Sequence, residues 1–69
     1  MKKITVYKVH CDGVWCAFDV LAAAVECLAA EIEAEADSMI PGQETRDYSI
    51  EVCEMTEQEY KALPEFNGF

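Results

Sequence analysis

The side chains in this sequence that could support catalysis are one histidine, four cysteines and fourteen carboxylates. His10 directly precedes Cys11, and successive residues of a strand point to opposite faces, so these two cannot readily form a thiolate pair. His10 and Cys53 could share a face, but no signal in the sequence brings them together. The carboxylates are scattered, without partners that would raise one pKa and lower another. We therefore expect a protein without enzymatic activity.

The cysteines stand at positions 11, 16, 27 and 53, a spacing without the close ligand pairs, such as C-x2-C, that structural zinc sites use. We expect neither a bound metal nor a cofactor. The N-terminal residues contain Lys8, His10 and Asp12 where an export signal would need an apolar segment, so we expect a cytoplasmic protein with free thiols. Thiol-based sensing through Cys11, Cys16 and Cys53 stays open and would require a depressed thiol pKa.

The net charge of −9 is the strongest indication of what the protein binds. The first 18 residues carry three lysines against one aspartate, whereas the remainder carries thirteen acids against two cations. Such a surface repels phosphate backbones and anionic lipids, so we expect no direct binding to nucleic acid or membranes. The apolar run at 20–25 is also too short to span a bilayer. A basic protein surface is the partner that this charge favours.

The hydrophobic content of 52% indicates a globular domain, and 69 residues suffice for a single domain, 1–69. A chain of this length buries only about 60% of its unfolded surface, so a homodimer would relieve a shortage of core.

Asp12-Gly13 separates two runs rich in β-forming residues and predicts a hairpin over 2–18, because a two-residue type I′ turn needs positive φ at both positions. The predicted pairs are Cys11 with Val14, His10 with Trp15, Val9 with Cys16, and Tyr7 with Phe18. One face then carries Tyr7, Val9, Cys11, Val14, Cys16 and Phe18 toward the core, and the other carries Lys8, His10, Trp15 and Ala17. Trp15 is a candidate partner anchor; alternatively, it shields the sheet as a cross-strand pair with His10.

A long helix is predicted over 20–37, with Asp19 as its N-cap and an apolar stripe of Leu21, Val25, Leu28 and Ile32 lying across the hairpin. The opposite side is acidic: Glu26, Glu33 and Asp37 lie at its centre, with Glu31 and Glu35 at its borders. Few cations lie three or four residues away, so these acids repel one another and do not favour the helix. They form either a solvated surface or a binding surface.

After a loop over 38–46, alternation predicts a third strand over 47–55, with Tyr48, Ile50 and Val52 on one side. Thr56 and Glu59 match a capping box that begins a short helix over 57–63, followed by a tail over 64–69. The whole pattern predicts an α+β domain of order β-β-α-β-α. Its three-stranded, mainly antiparallel sheet would carry the long helix on one face.

The C-terminal segment 54–69 reads E-M-T-E-Q-E-Y-K-A-L-P-E-F-N-G-F. With the compact elements ahead of it, this ending resembles small acidic proteins of bacteriophages and mobile elements. The chain is also similar to anti-CRISPR and other anti-defence proteins in being short, acidic and without catalytic motifs. That resemblance implies carboxylates that occupy a nucleic-acid channel in place of phosphates. The hairpin-helix-strand order is similar to HicB-type antitoxins too, although the glycine and proline punctuation of their second strand is missing.

The leading hypothesis is a non-enzymatic binding module of the anti-defence type, acting in the host cytoplasm. Its partner-binding residues would be Glu26, Glu31, Glu33, Glu35 and Asp37 of the helix, together with Trp15, docking on a basic host protein. The alternatives are a HicB-like antitoxin and a homo-oligomeric module in which the Trp15 face or the Phe66/Phe69 tail completes a second protomer's core.

Overall fold

The computed structural model describes residues 2–64 and 66, and it confirms the predicted α+β fold and element order. The elements are β1 (Lys3–Cys11), β2 (Val14–Phe18), α1 (Leu21–Ala36), β3 (Tyr48–Thr56) and α2 (Glu57–Lys61). The three strands form one antiparallel sheet in the order β2-β1-β3, so β1 is central and β2 and β3 are edges. The predicted tail residues 65 and 67–69 lie outside the described residues.

The hairpin has the predicted turn and register. Asp12 and Gly13 have φ values of 50° and 84°, which a type I′ turn requires. Tyr7 pairs with Phe18, and Cys11 with Val14, as the Asp-Gly turn predicts. Local turn chemistry therefore sets which residues face the core.

α1 begins one residue later than predicted and without the predicted cap. Its N-cap is Val20, whose side chain makes no capping hydrogen bond. The prediction that Asp19 caps the helix is wrong, because Val20, and not Asp19, takes the extended conformation directly before the first turn.

The core lies between α1 and the hairpin, and it is small. Val9, Cys16 and Ala24 form its buried centre, and five partly buried residues pack against it: Tyr7, Phe18, Cys27, Leu28 and Ile50. Ala24 thus occupies the centre of the packed face, and its short side chain permits a close approach to the sheet. Of the predicted apolar stripe, Leu28 packs against the core and Ile32 is half-buried. The prediction is wrong at Leu21 and Val25, which are 47% and 48% exposed.

β3 pairs with β1 along its whole length, from Lys3 opposite Thr56 to Cys11 opposite Tyr48. α2 then starts with the predicted capping box, in which Thr56 Oγ1 accepts from the Glu59 N–H and Glu59 Oε1 accepts from the Thr56 N–H. Val6 is fully buried although it points away from the Val9 cluster. It marks a second buried region on the face opposite α1, near the end of the sheet where α2 contacts β1 and β3.

The molecule is long and open. Its Cα radius of gyration is 13.7 Å and its extents are 49 × 19 × 16 Å. A compact chain of this length would have a radius of about 11 Å. α1 packs mainly on β1 and β2, which leaves much of β3 uncovered on the α1 side of the sheet.

Candidate partner-binding surfaces

Three of the predicted acidic residues form an exposed surface on α1. Glu26, Glu33 and Asp37 are seven and four residues apart, so they lie on one side of the helix, opposite the face that holds Ala24 and Leu28. Within residues 2–64 and 66, none of these carboxylates makes an ion pair or a hydrogen bond through its side chain. We call Glu26, Glu33 and Asp37 the acidic helix surface.

The acidic residues of α1 lie where the helix dipole disfavours negative charge. The first turn of α1 contains no acidic residue and the last turn no basic residue. Glu33 instead lies near the C-terminal end, and Asp37 is the C-cap. Negative charge at that end opposes the partial negative charge of the unpaired carbonyls. The acidic helix surface therefore does not stabilise the helix that carries it.

Glu35 has an intramolecular role that the sequence did not reveal. Its Oε1 lies 3.0 Å from Arg46 Nε, both oxygens accept from the Arg46 backbone N–H at 3.2 Å, and the Tyr48 hydroxyl donates to Oε2 at 3.0 Å. The Glu35 side chain is only 17% exposed as a result. Glu35 thus fixes the end of the loop to α1, and it is separated from the acidic helix surface.

The pKa values of this network follow from its bonds. Burial opposes ionisation of Glu35, but the hydrogen bonds from Arg46 and Tyr48 outweigh it and lower the Glu35 pKa. Burial chiefly raises the pKa of the Tyr48 phenol. Hydrogen bonds with Tyr48 and Glu35 raise the pKa of Arg46. The network is therefore a charged Glu–Arg pair with a neutral phenol between them at neutral pH.

Glu31, the other border residue, is half-buried on the sheet side of α1. Its backbone carbonyl lies 3.5 Å from the Tyr48 hydroxyl. The structure thus divides the five predicted helix carboxylates into three that face solvent and two, Glu31 and Glu35, that lie toward the sheet.

Trp15 lies on the face of the sheet opposite α1, in a polar cluster. It pairs with His10 across the hairpin, as predicted, with ring centroids 6.5 Å apart. Lys8 Nζ lies 4.4 Å from the Trp15 ring centroid, and His10 Nε2 lies 3.0 Å from Glu51 Oε1. Trp15 is 37% exposed, so it retains an accessible edge. The structure places it on the other side of the sheet from the acidic helix surface, so one flat partner cannot contact both.

All four cysteines are free thiols, and Cys16 does not lie in the environment that sensing requires. Cys11 and Cys16 are buried, and Cys53 Sγ donates to the Val6 carbonyl at 3.5 Å. Cys16 Sγ lies 4.0 Å from Cys27 Sγ. Burial first, and then the neighbouring Cys27, raise the pKa of Cys16 to about 12. A thiol with a raised pKa is a poor nucleophile, the opposite of the depressed value expected of a sensor.

Two accessible features were not predicted as sites. Val52 on β3 is 65% exposed, and the outer edge of β3 pairs with no other strand of the described chain. The alternation in the sequence identified the strand, but only the sheet order shows that β3 is an edge.

Comparison with known proteins adds no relative, since no protein-family model, curated protein or solved structure matches the chain significantly. Among residues 2–64 and 66, no group of three or more His, Cys, Asp or Glu side chains could hold a metal ion. No helix in the same residues has the length and apolar character to cross a membrane.

Proposed function

We propose that the protein is a non-enzymatic binding module whose acidic helix surface docks on a basic surface of another protein. The observation that carries the proposal is the combination at Glu26, Glu33 and Asp37. These carboxylates are exposed, lie on one face and have no cation as partner within the described chain. They also lie where the helix dipole gives them no stabilisation. Charges that do not stabilise their own helix are available to a partner.

The partner that this surface suits is a Lys/Arg-lined groove that normally holds nucleic acid. Glu33 and Asp37 are separated by about 6 Å along the helix axis, close to two steps of 3.4 Å along a nucleic-acid strand. Carboxylates at this spacing can accept the hydrogen bonds that a basic groove donates to phosphates. The net charge of −9 would steer the protein toward such a groove and make association fast and salt-sensitive. An inhibitor of a host defence complex is the biological role we propose for it.

The test compares two triple variants of equal net charge. Glu26, Glu33 and Asp37 are each changed to Lys in the first variant. Asp19, Glu44 and Asp47 are exposed, and their side chains make no hydrogen bond or ion pair with the described part of the chain; they are changed to Lys in the second. Tagged wild-type protein and both variants are incubated with bacterial lysate at low and high salt, and bound proteins are identified by mass spectrometry.

We expect wild type and the Asp19/Glu44/Asp47 control to retain a basic nucleic-acid-binding protein at low salt and to release it at high salt. The acidic-surface variant should not retain it, and added nucleic acid should displace it from wild type. Equal retention by both variants would contradict the helix docking surface. Retention of no basic protein by wild type would contradict the proposed function as a whole.

A further inference from the structure

The outer edge of β3 is a long row of backbone groups that has no neighbouring strand among residues 2–64 and 66. β3 has nine residues, whereas the other edge strand, β2, has five. An exposed edge of this kind is a template on which another strand can pair, and proteins usually protect it.

The register determines which residues of β3 direct their N–H and C=O groups outward. The Glu57 N–H bonds to the Lys2 carbonyl, and the Asp12 N–H bonds to the Asp47 carbonyl. Both pairs continue the β1–β3 register, and such pairs alternate with unbonded pairs in an antiparallel ladder. Odd-numbered residues of β3 therefore bond to β1. Even-numbered residues from Tyr48 to Thr56 direct their backbone groups to the free edge.

Nothing in the sequence of β3 protects this edge. The strand Y-S-I-E-V-C-E-M-T contains no proline, glycine or lysine. Its two glutamates are drawn inward over β1: Glu51 Oε1 lies 3.0 Å from His10 Nε2, and Glu54 Oε1 lies 3.8 Å from Lys3 Nζ. The charges that could repel an incoming strand thus lean away from the edge.

On the α1 side of the sheet, β3 carries three apolar or aromatic side chains, Tyr48, Ile50 and Val52, and α1 leaves Val52 uncovered. Val52 is the most exposed apolar residue of the strand, at 65%. α1 turns its Leu21 and Val25 flank toward β3, because Cys27 on the other flank contacts Cys16 of β2. Leu21 and Val25 are 47% and 48% exposed on that flank.

We propose that this edge pairs with β3 of a second copy of the chain, forming a two-fold symmetric dimer with a continuous six-stranded sheet. In the antiparallel register centred on Val52, Val52 lies opposite Val52 of the second copy. Ile50 lies opposite Glu54, Tyr48 opposite Thr56, and Glu51 opposite Cys53. Even-numbered residues thus meet even-numbered ones, so the outward backbone groups bond in narrow pairs. In this register no carboxylate lies directly opposite another. A register centred on Glu51 or Glu54 would place that glutamate opposite the same glutamate of the second copy.

The monomer exposes more surface than a compact chain of its mass. The chain exposes 5009 Å². A compact monomer of 7.7 kDa would expose about 4,300 Å². The excess agrees with the elongated shape of the molecule.

The dimer leaves the acidic helix surface accessible. Pairing about a two-fold axis perpendicular to the sheet places both copies of α1 on the same side. Glu26, Glu33 and Asp37 point away from the sheet in each copy, so two acidic surfaces would face one direction. The dimer does not depend on the proposed function.

The first test uses the unmodified protein. Sedimentation equilibrium at moderate salt, over the micromolar to millimolar range, should show a monomer–dimer equilibrium. Amide hydrogen exchange should then slow at Ile50, Val52 and Glu54 as concentration rises. The amides of Glu51 and Cys53, which bond to β1, should be protected at every concentration. A monomer over the whole range, or a dimer in which the even-numbered amides still exchange rapidly, would overturn the proposal.

The second test is Val52→Pro with Val52→Thr as its matched control. The Val52 N–H points to the free edge, so proline removes no bond to β1 and is tolerated there as on other edge strands. Threonine keeps both the N–H and the branched shape. We expect Val52→Pro to abolish the dimer with an unchanged far-ultraviolet circular dichroism spectrum, and Val52→Thr to retain it. A Val52→Pro protein that is folded and dimeric would place the interface elsewhere, for example at Trp15.

Discussion

At the residue scale, Glu35 is the carboxylate with the clearest structural role. It accepts hydrogen bonds from the backbone and side chain of Arg46 and from Tyr48, and so ties the loop before β3 to α1. The guanidinium carbon of Arg46 also lies 5.6 Å from the Tyr48 ring centroid. Loss of the Glu35 charge would release Arg46 and Tyr48 together, although neither belongs to the core.

We therefore expect Glu35→Gln to lower the stability of the protein at neutral pH. The bonds to Arg46 and Tyr48 lower the Glu35 pKa in the folded state, so the stabilisation is present in full above the ordinary Glu pKa. It is lost as pH falls through the lowered folded value. Urea unfolding of wild type and variant at pH 7 and pH 3 should show a difference in the free energy of unfolding at pH 7 that shrinks at pH 3. Glu44→Gln is the control, because the exposed Glu44 side chain bonds to no other described residue, and it should change the stability little at either pH. An equal loss of stability for Glu35→Gln at both pH values would contradict the ionic role.

At the scale of the elements, α1 carries charges that suit a partner better than they suit the helix. Glu33 and Asp37 lie at the C-terminal end, where cations are favoured, and α1 has no basic residue in its last turn. Replacing both by Lys should stabilise the protein by about 0.3–1 kcal/mol per site, because the charge then complements the dipole. Thermal unfolding at low ionic strength would measure this gain. The same variant should lose binding to a basic partner; a variant that loses stability as well would show that these acids serve the fold.

All five elements were predicted in the right order, and the details predicted most closely are those that local chemistry determines. Asp12-Gly13 fixes the hairpin register, and Thr56 with Glu59 fixes the start of α2, because each signal acts within three residues. The rotation of α1 could not be predicted in this way. Leu21 and Val25 are larger and more apolar than Ala24, yet Ala24 packs on the sheet because close contact between helix and strands decides the face.

The same distinction, between features set by local sequence and features set by long-range contacts, applies to the candidate site. Exposure of Glu26, Glu33 and Asp37 follows from helical spacing alone. The separate role of Glu35 depends on Arg46, eleven residues away across a loop whose path no periodicity specifies. The open edge of β3 depends on the strand order. The pairing of β1 with β3 determines that order, and it joins residues that lie 37 (Cys11 and Tyr48) to 53 (Lys3 and Thr56) positions apart.

At the scale of the whole molecule, the charge of −9 acts in opposite directions on the two associations proposed for this protein. Two copies repel each other, so long-range electrostatics opposes a dimer formed through β3. Backbone hydrogen bonds and apolar contacts would hold that dimer together. A basic partner is attracted by the same charge. Salt screens both effects, since the Debye length falls from about 30 Å at 0.01 M to about 8 Å at 0.15 M.

We therefore expect rising salt to strengthen the dimer while it weakens binding to a basic partner. Sedimentation equilibrium at low and physiological ionic strength would give the first dependence. Titration with the basic protein recovered from lysate, at the same two ionic strengths, would give the second. The Asp19/Glu44/Asp47→Lys protein separates repulsion between copies from attraction to the basic partner. Its net charge is less negative, which should reduce the salt dependence of dimerisation, while the acidic helix surface stays intact. If both associations weakened with salt, charge would hold the two copies together, and pairing through the apolar edge of β3 would be contradicted.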